Sequence, residues 1–567
     1  MDYLNYLSNR EDFFYLNDIS LTTLSRGYLQ SNLAVDDVKQ AAIVRIGTMV
    51  DTAEKILQRP LPVLRQGLRR GWVSPASPVW SNFGLKRGLP ISCNGSFMSD
   101  SMESIIRANA EIGMMTKLGA GTSCYMGKLR PKGALISGGG QSQGPVHFAR
   151  LLQETVSVVS QANIRRGNCA IWLDVSHPDI EDWLMIRSIT DGLHHPIQHL
   201  SFGICISDQW MQEMLQEEKG GKKRLIMAKI INRRRACGFP YLLFSDTVNR
   251  ARPQVLKDQD IPIYASNLCT EIMLPSSETE SFVCDLSSVN LLFYDEWKKT
   301  NLVEEMIYFL DAIMTEYIEK TQDIAFMERA YRFAKKWRAV GLGALGYHSY
   351  LQAKGIPFES TQAREFNKEI FQHIQENSIK ASQKMAKEYG EPEGMKGYGM
   401  RHLCVNTVAP TTSSSIILGQ VSPSVEPWEA NYYENDNAKS VFSQRNVILE
   451  YVLQKKGKNT DEIWLSILHH GGSVQHLDFL DENEKATFKT FMEIDPMEII
   501  EQAADRQQYI DQGQSINLKI ASDVNKRRNL DIIIAAWKKG VKSLYYHKGV
   551  NSAQELARNN TCEACEA

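Results

Sequence analysis

The central stretch of the chain, IPIYASNLCTEIML at residues 261–274, alternates apolar residues with polar residues of three different chemistries. If this run is extended, period-two alternation places Asn267, Cys269 and Glu271 on one side and the apolar residues between them on the other. An amide, a thiol and a carboxyl group that share one cavity could bind a polar substrate, abstract from it and accept its proton. The pattern alone fits a half-buried strand with a polar solvent face at least as well, so both interpretations stay open here.

The sequence on either side of this stretch predicts an α/β protein. From about residue 71 to about residue 522, short β-branched runs alternate with longer helical patterns. Apolar stripes at helical spacing predict helices over residues 304–318 and 366–385. Residues 1 to about 70 have helical spacing throughout and predict a small helical N-terminal region.

Composition excludes several classes of protein. The 567 residues are 43% hydrophobic and 23% charged, enough for a large core and, by length alone, about two to four domains. A formal charge of −2 provides no general attraction to nucleic acid or to a membrane surface. The first thirty residues lack a signal-peptide pattern, and no run of about 18 apolar residues occurs. We therefore expect a cytoplasmic protein.

The ten cysteines are too sparse for a disulfide-stapled secreted scaffold, so each needs its own explanation. Cys562 and Cys565 end a polar segment, residues 549–567, that predicts a flexible tail. Their spacing is used by dithiol redox pairs and by zinc knuckles, but zinc would need about two more ligands and no other Cys or His lies in residues 548–567. A redox shuttle is favoured over an accidental pair, and we expect the chain to bind no metal.

Other cysteines and a tyrosine pair are less specific signals. Cys93 and Cys284 have polar surroundings and are candidates for an internal partner of the tail, but their pairing cannot be deduced from the sequence. Tyr545 and Tyr546 are adjacent, as is ordinary for packing residues in strands. The remaining cysteines are expected to be small buried hydrophobes: Cys124, Cys169, Cys205, Cys237 and Cys404.

An ordered set of short motifs runs along the chain: Ser77-Pro78, Ser92-Cys93, Asp100-Ser101, Arg130, Ser160-Gln161 through Arg165, Asn267-x-Cys269-x-Glu271, Cys284, Pro410 through Ser415, Tyr545-Tyr546 and Cys562-x-x-Cys565. Together they resemble the large, catalytic subunit of class I ribonucleotide reductase, from about residue 10 through nearly the whole chain. No single motif would be convincing, but the ordered set is specific.

The resemblance implies a ten-stranded α/β barrel over residues 71–548, with a central finger loop that presents Cys269 to the substrate. A helical region (1–70) precedes the barrel and a flexible redox-active tail (549–567) follows it. Cys269 would become a thiyl radical that abstracts the 3′-hydrogen of a ribonucleoside diphosphate. Asn267 and Glu271 would bind the ribose hydroxyls, and Glu271 would take the 3′-OH proton.

The resemblance also implies how electrons and the radical arrive. Cys93 and Cys284 would supply two electrons as the 2′-hydroxyl leaves as water, closing to a disulfide. Cys562 and Cys565 would reopen that disulfide and pass the oxidation to thioredoxin or glutaredoxin. A metal-containing small subunit would supply the radical through Tyr545 and Tyr546, because tyrosine, unlike phenylalanine, can lose a proton and an electron together.

Nucleotide sites follow from the same resemblance. The residues implied to bind the substrate are Ser77, Ser92, Pro410, Thr411, Thr412, Ser413 and Ser414; the best-known subgroup has glutamate where Thr412 stands. The residues implied to bind a dNTP or ATP effector with Mg²⁺, at a homodimer interface, are Asp100, Ser101, Arg130, Gln161 and Arg165. Ser137 stands where a basic residue is expected, so the triphosphate contacts are expected to differ.

The chain begins almost directly with the region that precedes the barrel, so we expect no N-terminal ATP-cone domain and no dATP shut-off through one. Two alternatives stay open. An adenosylcobalamin-dependent reductase would share the cysteines but need neither the tyrosine relay nor a second subunit. A non-catalytic regulatory protein would use Ser413 to Ser415 to bind phosphate and the terminal cysteines to hold a metal. The segment Arg235 to Phe239 resembles the glycyl-radical signature, but it lies mid-chain and predicts a turn before a strand.

Overall fold

A computed structural model describes residues 3–29, 35–160, 167–187, 197–437, 440–521 and 524–549, with backbone alone for residues 35–36, 433–437 and 440–443. Gln161, Arg165, Cys562 and Cys565 lie outside the described residues, as does the predicted tail beyond Gly549.

The N-terminal region is helical, as its apolar spacing predicts. Its helices are α1 (Tyr3–Ser8), α2 (Asp18–Ser25), α3 (Val35–Leu57) and α4 (Pro62–Arg70). Helix α3 buries one face through Ile46, Val50 and Ala53. Helix α4 has proline at its first position, where the missing N–H costs no hydrogen bond, and ends at Gly71 in the left-handed conformation.

The strands form one mixed nine-stranded sheet and three small two-stranded sheets. The strands are β1 (Val73–Pro75), β2 (Cys93–Phe97), β3 (Thr122–Tyr125), β4 (Leu135–Ile136), β5 (Gly140–Gln141), β6 (Cys169–Asp174), β7 (Ser201–Ile206), β8 (Tyr241–Phe244), β9 (Phe282–Asn290), β10 (Val340–Leu345), β11 (Tyr432–Asn437), β12 (Ser440–Arg445), β13 (Leu518–Lys519), β14 (Ser543–Leu544) and β15 (His547–Lys548). The large sheet has the order β1-β9-β2-β3-β6-β7-β8-β14, and β10 pairs with the other edge of β9.

Helices cover this sheet and connect its strands. They are α5 (Ser77–Asn82), α6 (Met102–Lys117), α7 (Pro145–Val159), α8 (Ile180–Leu184), α9 (Asp208–Gln216), α10 (Lys222–Cys237), α11 (Ser245–Arg250), α12 (Gln254–Asp258), α13 (Tyr294–Trp297), α14 (Leu302–Thr321), α15 (Glu328–Trp337), α16 (Tyr347–Lys354), α17 (Thr361–Tyr389), α18 (Thr412–Ile417), α19 (Val447–Lys455), α20 (Asp461–His469), α21 (Glu482–Thr487), α22 (Pro496–Gln507) and α23 (Lys526–Lys538).

Strand direction divides the large sheet into two parts. Strands β2, β3, β6, β7 and β8 are parallel to their neighbours in this group, whereas β9 runs antiparallel to β2 and parallel to β10. Parallel strands joined by helices are buried on both faces, which explains their nearly continuous apolar sequences. The chain is thus an α/β protein with a curled mixed sheet, as the alternating patterns predict.

Backbone hydrogen bonds continue the pairing beyond β10. Leu342 N–H donates to Val405 O at 2.8 Å, and Val408 N–H donates to Gly513 O at 3.1 Å. Tyr545 N–H then donates to Ile516 O at 2.8 Å, and β14 pairs with β8. This path of hydrogen bonds leads from β10 back to the opposite edge of the same sheet.

The predicted helices over residues 304–318 and 366–385 are confirmed as parts of α14 and α17. The predicted turn before a strand is also confirmed, because α10 ends at Gly238 with a φ of +81° and β8 follows. Four of the five cysteines expected in the core are buried, but Cys237 is only half-buried, since it lies in the last turn of α10 near the surface.

Within the described residues, every helix is too short or too polar to cross a lipid bilayer.

Candidate active site

The segment 261–274 is not an extended strand, contrary to the period-two interpretation. It contains a turn at residues 268–270, where Thr270 N–H donates to Asn267 O at 3.4 Å and Thr270 has a φ of +68°. The turn, rather than alternation along a strand, brings the polar side chains on either side of Cys269 together. The expected neighbours are therefore correct, but the geometry that makes them neighbours is different.

Asn267 and Glu271 hold each other across this turn. Asn267 Nδ2 donates to Oε1 of Glu271 at 3.0 Å, and Oδ1 of Asn267 accepts the backbone N–H groups of Glu271 and Ile272, each at 3.1 Å. Because both backbone groups can only donate, the orientation of the amide is fixed. Cys269 lies between these two residues in the chain, on the turn itself, and is half-buried.

Residues far along the chain fix the turn. Ser515 Oγ lies 2.5 Å from the carbonyl oxygen of Cys269 and 3.1 Å from Oε2 of Glu271. Thr407 Oγ1 and Gly513 N–H both donate to the Glu271 carbonyl at 2.8 Å, and Ser543 Oγ donates to the Thr270 carbonyl at 2.8 Å. The sequence interpretation missed these residues, and no local spacing signals them, because they meet the loop only through the curled sheet.

Burial shifts the acidity of Glu271. Loss of solvent raises the pKa of the Glu271 carboxyl to about 7, against the lowering effect of the hydrogen bonds from Asn267, its own backbone N–H and Ser515. A carboxyl group with this pKa exchanges its proton readily near neutral pH, which suits a general base.

Cys93 and Cys284 are cross-strand neighbours. They are directly opposite each other in the antiparallel pair of β2 and β9, and neither is in a disulfide bond. Opposed residues of such a pair have Cα atoms about 4.5–5.5 Å apart, within the range of about 4.4–6.8 Å that disulfides require. The structure thus brings together two cysteines whose pairing the sequence could not establish.

The two thiols have different surroundings. Cys93 is half-buried, whereas Cys284 is 1% exposed, and burial raises the pKa of the Cys284 thiol well above its usual value. Gln512 Nε2 donates to Sγ of Cys284 at 3.3 Å, and Glu271 and Cys93 are close enough to raise the same pKa. The cysteine pair and the 261–274 turn therefore belong to one site.

Tyr545 and Tyr546 are both buried, with ring centroids 4.3 Å apart. Tyr241 at the start of β8 packs against both rings, at 4.7 Å from Tyr545 and 5.1 Å from Tyr546. Phe239 lies 5.2 Å from Tyr546. The pair is thus part of an aromatic cluster. The Tyr546 carbonyl accepts the Leu518 N–H at 2.9 Å, and the His547 N–H donates to the Gly238 carbonyl at 3.2 Å.

The residues proposed to bind substrate lie on two short helix starts and one loop. Ser77 is the first residue of α5, and its Oγ lies 3.2 Å from the Tyr28 hydroxyl; Ser92 is half-buried just before β2. Thr411 precedes α18 with a φ of +55°, and its Oγ1 accepts the Ser424 N–H at 2.7 Å. Pro410 is half-buried just before this helix. Within it, Thr412 and Ser413 are half-buried and Ser414 is buried, and the helix contacts β1 and α2.

The described effector candidates cluster near the start of α6. Ser101 caps this helix by accepting the Ser104 N–H at 3.2 Å. Arg130 Nε donates to Oδ2 of Asp100 at 2.7 Å, and Arg130 Nη1 donates to the Leu135 carbonyl at 2.7 Å. Asp100 and Arg130 are thus paired with each other on the surface, and Arg130 also contacts the exposed β4–β5 hairpin.

Across the part of the chain that the structure describes, no group of three or more His, Cys, Asp or Glu side chains could hold a metal ion.

Comparison with known proteins gives concordant matches. The family model for the ribonucleotide reductase barrel domain matches residues 91–221, 217–397 and 392–547. The chain is 30% identical to the ribonucleoside-diphosphate reductase large subunit of Invertebrate iridescent virus 3, covering 97% of this chain and 98% of that protein. It is also 29% identical to a vitamin B12-dependent ribonucleoside-diphosphate reductase of Mycobacterium tuberculosis, covering 85% of this chain and 71% of that protein.

Among solved structures, the class Id ribonucleotide reductase alpha subunit of Actinobacillus ureae superposes with a TM-score of 0.89 at 46% identity, covering 96% of this chain and 99% of that chain. The family model spans most of the chain, and similarity to the viral and bacterial large subunits extends over nearly its full length. The chain therefore belongs to the ribonucleotide reductase family, among its large, or alpha, subunits.

Proposed function

We propose that this chain is the catalytic subunit of a class I ribonucleoside-diphosphate reductase, and that a thiyl radical on Cys269 starts the reaction. The observation that carries the proposal is the turn that holds Cys269 between Asn267 and Glu271, with the Cys93–Cys284 pair joined to it through Gln512. A hydrogen-abstracting thiol, a base and a two-electron reductant are the groups that ribose reduction needs.

In the proposed reaction the Cys269 radical abstracts the 3′-hydrogen of the ribose. Glu271, with a pKa of about 7, accepts the proton of the 3′-hydroxyl, and Asn267 orients both the carboxylate and the substrate hydroxyls. The 2′-hydroxyl leaves as water, and the Cys93 and Cys284 thiols give up two electrons as they close to a disulfide. Their opposition across β2 and β9 supports this step.

We propose that Cys562 and Cys565, which lie outside the described residues, reopen the disulfide and are re-reduced by thioredoxin or glutaredoxin. Two thiols at the spacing of Cys562 and Cys565 suit such a shuttle. Ser77, Ser92 and the 410–414 segment are proposed to hold the substrate, the latter through the start of α18.

A separate metal-containing small subunit is proposed to supply the radical through Tyr546 and Tyr545. The contact between the two rings, 4.3 Å from centroid to centroid, supports transfer from one side chain to the next. We further infer that the domain over residues 71–548 is a closed ten-stranded barrel around the finger loop. The hydrogen-bonded path from β10 through residues 405, 408, 513 and 545 to β8 supports closure.

A homodimer with an effector site is proposed at α6 and α7, and Asp100, Ser101 and Arg130 are proposed to contact a dNTP or ATP with Mg²⁺. Four large apolar side chains on these two helices are exposed: Met102, Ile106, Leu151 and Val158. Exposed large apolar side chains on two packed helices are typical of a subunit interface.

The proposal is tested by assaying conversion of a ribonucleoside diphosphate to its deoxy form with a class I small subunit and a dithiol reductant. Cys269→Ser and Tyr546→Phe should each abolish turnover while leaving the circular dichroism spectrum unchanged. Turnover by Tyr546→Phe at the level of the unsubstituted chain would contradict the tyrosine relay.

The similarity to a vitamin B12-dependent reductase favours one second candidate, an adenosylcobalamin-dependent enzyme. One reductase assay distinguishes the two candidates: it contains the chain and adenosylcobalamin but no small subunit. We expect no product. Product in that assay would favour the second candidate. A regulatory protein would instead be indicated if neither the small subunit nor adenosylcobalamin gave turnover and if Cys269→Ser left ligand binding unchanged.

A further inference from the structure

Gln512 connects the loop that carries Cys269 with the cysteine pair. Its side chain is fully buried. Its backbone N–H donates to Asn406 O at 3.2 Å, and its carbonyl accepts Lys542 Nζ at 2.6 Å. Both backbone polar groups of Gln512 are therefore hydrogen-bonded, independently of the contacts that its side chain makes.

The orientation of the Gln512 amide follows from its partners. Oε1 accepts the Met273 N–H at 3.3 Å, and Nε2 donates to the Val340 carbonyl at 3.2 Å and to Sγ of Cys284 at 3.3 Å. The reverse orientation would place Oε1 against a carbonyl oxygen and the NH₂ group against a backbone N–H. Because neither of those contacts is a hydrogen bond, the N–H group faces the sulfur.

The two sulfurs differ in access as well as in partners. Cys93 is half-buried and Cys284 is 1% exposed, although the two residues are directly opposite each other. In thiol–disulfide exchange, the attacked sulfur must be reachable and the departing sulfur leaves as a thiolate, faster when that thiolate is stabilised. Burial disfavours the Cys284 thiolate, and the Gln512 N–H opposes this effect by lowering the pKa of Cys284, because an N–H donor stabilises a charged acceptor more than a neutral sulfur.

We propose that Gln512 is a positioning residue that directs re-reduction of the Cys93–Cys284 disulfide, so that an incoming thiol attacks Cys93 and Cys284 departs as a thiolate held by the Gln512 N–H. This inference rests on the proposed role of the two cysteines as the reductant pair. In the first step a thiolate forms a bond to Cys93 Sγ as the Cys93–Cys284 bond breaks, and Cys284 then takes a proton. A second thiol attacks the mixed disulfide, so the dithiol is oxidised by two electrons and both cysteines become thiols.

The first test locates the mixed disulfide in the full chain carrying Cys562→Ser and Cys565→Ser, which removes the competing tail thiols. The chain is oxidised, treated with 2-mercaptoethanol, quenched with N-ethylmaleimide in mildly acidic denaturing buffer, and mapped by mass spectrometry. We expect the mercaptoethanol adduct on Cys93 and the alkyl group on Cys284. An adduct on Cys284 overturns the inference while leaving the reductant pair intact, whereas failure of the two cysteines to form any disulfide overturns the proposed pair as well.

The second test replaces Gln512 by methionine, which has similar volume and no donor. Gln512→Met should slow reduction by 2-mercaptoethanol about tenfold and make the reduction potential of the disulfide, measured in glutathione buffers, more negative. The more negative potential is expected because the Gln512 N–H stabilises the reduced Cys284 sulfur more than the disulfide, and methionine removes that donor. The matched control is Gln475→Met at an exposed glutamine, which should change neither value. An unchanged rate and potential in a folded Gln512→Met chain overturns the inference; if that chain does not fold, adduct mapping in the chain with native Gln512 decides alone.

Discussion

At the scale of single residues, the site depends on a carboxyl group whose surroundings bring its pKa close to neutral pH. Burial raises the pKa of Glu271 to about 7, while Asn267 and Ser515 donate to its two oxygens. Removing water makes the carboxylate a better proton acceptor, and the two donors prevent a larger shift that would keep it protonated. The same contacts fix its direction relative to Cys269.

Activity should therefore depend on pH through Glu271. The base must be ionised to accept a proton, so kcat/KM should rise with pH up to about 7 and level off above it. Glu271→Gln should lower kcat about 10²–10⁴-fold without loss of thermal stability, because the amide keeps a hydrogen-bond partner for Asn267. A flat profile between pH 5.5 and 8 in the unsubstituted chain would contradict this assignment.

Ser515→Ala should move the same profile. The Ser515 hydrogen bond lowers the pKa of Glu271, so its loss should raise that pKa and shift the acid limb of kcat/KM to higher pH. The plateau should fall about tenfold, since the Cys269 carbonyl also loses its partner. Ser25→Ala, at a serine exposed on α2, is the control and should leave the profile in place. If the plateau of kcat/KM changed while the midpoint of its pH profile stayed in place, Ser515 would have only a packing role.

At the scale of elements, the finger segment 261–274 has no regular secondary structure and is positioned entirely by neighbours. The segments at 407, 512–515 and 543 each donate or accept at its backbone. Close approach is possible because residue 513 is glycine: a Cβ there would lie 2.6 Å from Cε of Met273 and 3.0 Å from the Glu271 carbonyl oxygen.

Gly513→Ala should thus displace the loop. We expect the free energy of unfolding to fall by about 1–3 kcal/mol, as for an overpacked core site, and turnover to fall further than binding of the effector. Urea denaturation and the reductase assay measure the two effects. Gly47→Ala in α3 is the matched control, because nothing lies within 4 Å of its Cβ position, and alanine there should be neutral or should stabilise by up to about 1 kcal/mol.

At the scale of the whole molecule, helices α6 and α7 pack against each other and expose apolar side chains on their outer face. Ile106 is 58% exposed and Val158 is 78% exposed. Helix α6 begins directly after Asp100 and Ser101, and Arg130 is paired with Asp100, so a second copy bound at α6 would lie close to the proposed effector site.

Ile106→Lys should weaken this association at least tenfold and reduce the response of substrate choice to dNTP effectors. Sedimentation or light scattering with and without effector measures the change. Leu225→Lys, at an apolar residue that is 53% exposed on α10, should leave the oligomeric state unchanged. Equal dimerisation of both variants would place the interface elsewhere.

Local sequence patterns were sufficient for the helices. The apolar stripes of α3, α14 and α17 and the turn at Gly238 appear in the structure where the sequence predicts them, because amphipathic periodicity depends on neighbours a few residues away. The extended interpretation of residues 261–274 was wrong, because polar and apolar residues can alternate in the sequence of a buried turn with polar partners just as they do in a strand. Cys237 was also misassigned, because a cysteine at a helix end can face either side.

The sequence by itself determined the α/β class, the residue types of the site and, through an ordered set of motifs, the resemblance to one family. Only the tertiary structure decided that Cys93 faces Cys284, that Gln512 and Ser515 reach the finger loop, and that Tyr241 joins the tyrosine pair. The physical reason is that these contacts join residues up to about three hundred positions apart, and their register is set by strand pairing across the curled sheet, which no local pattern encodes.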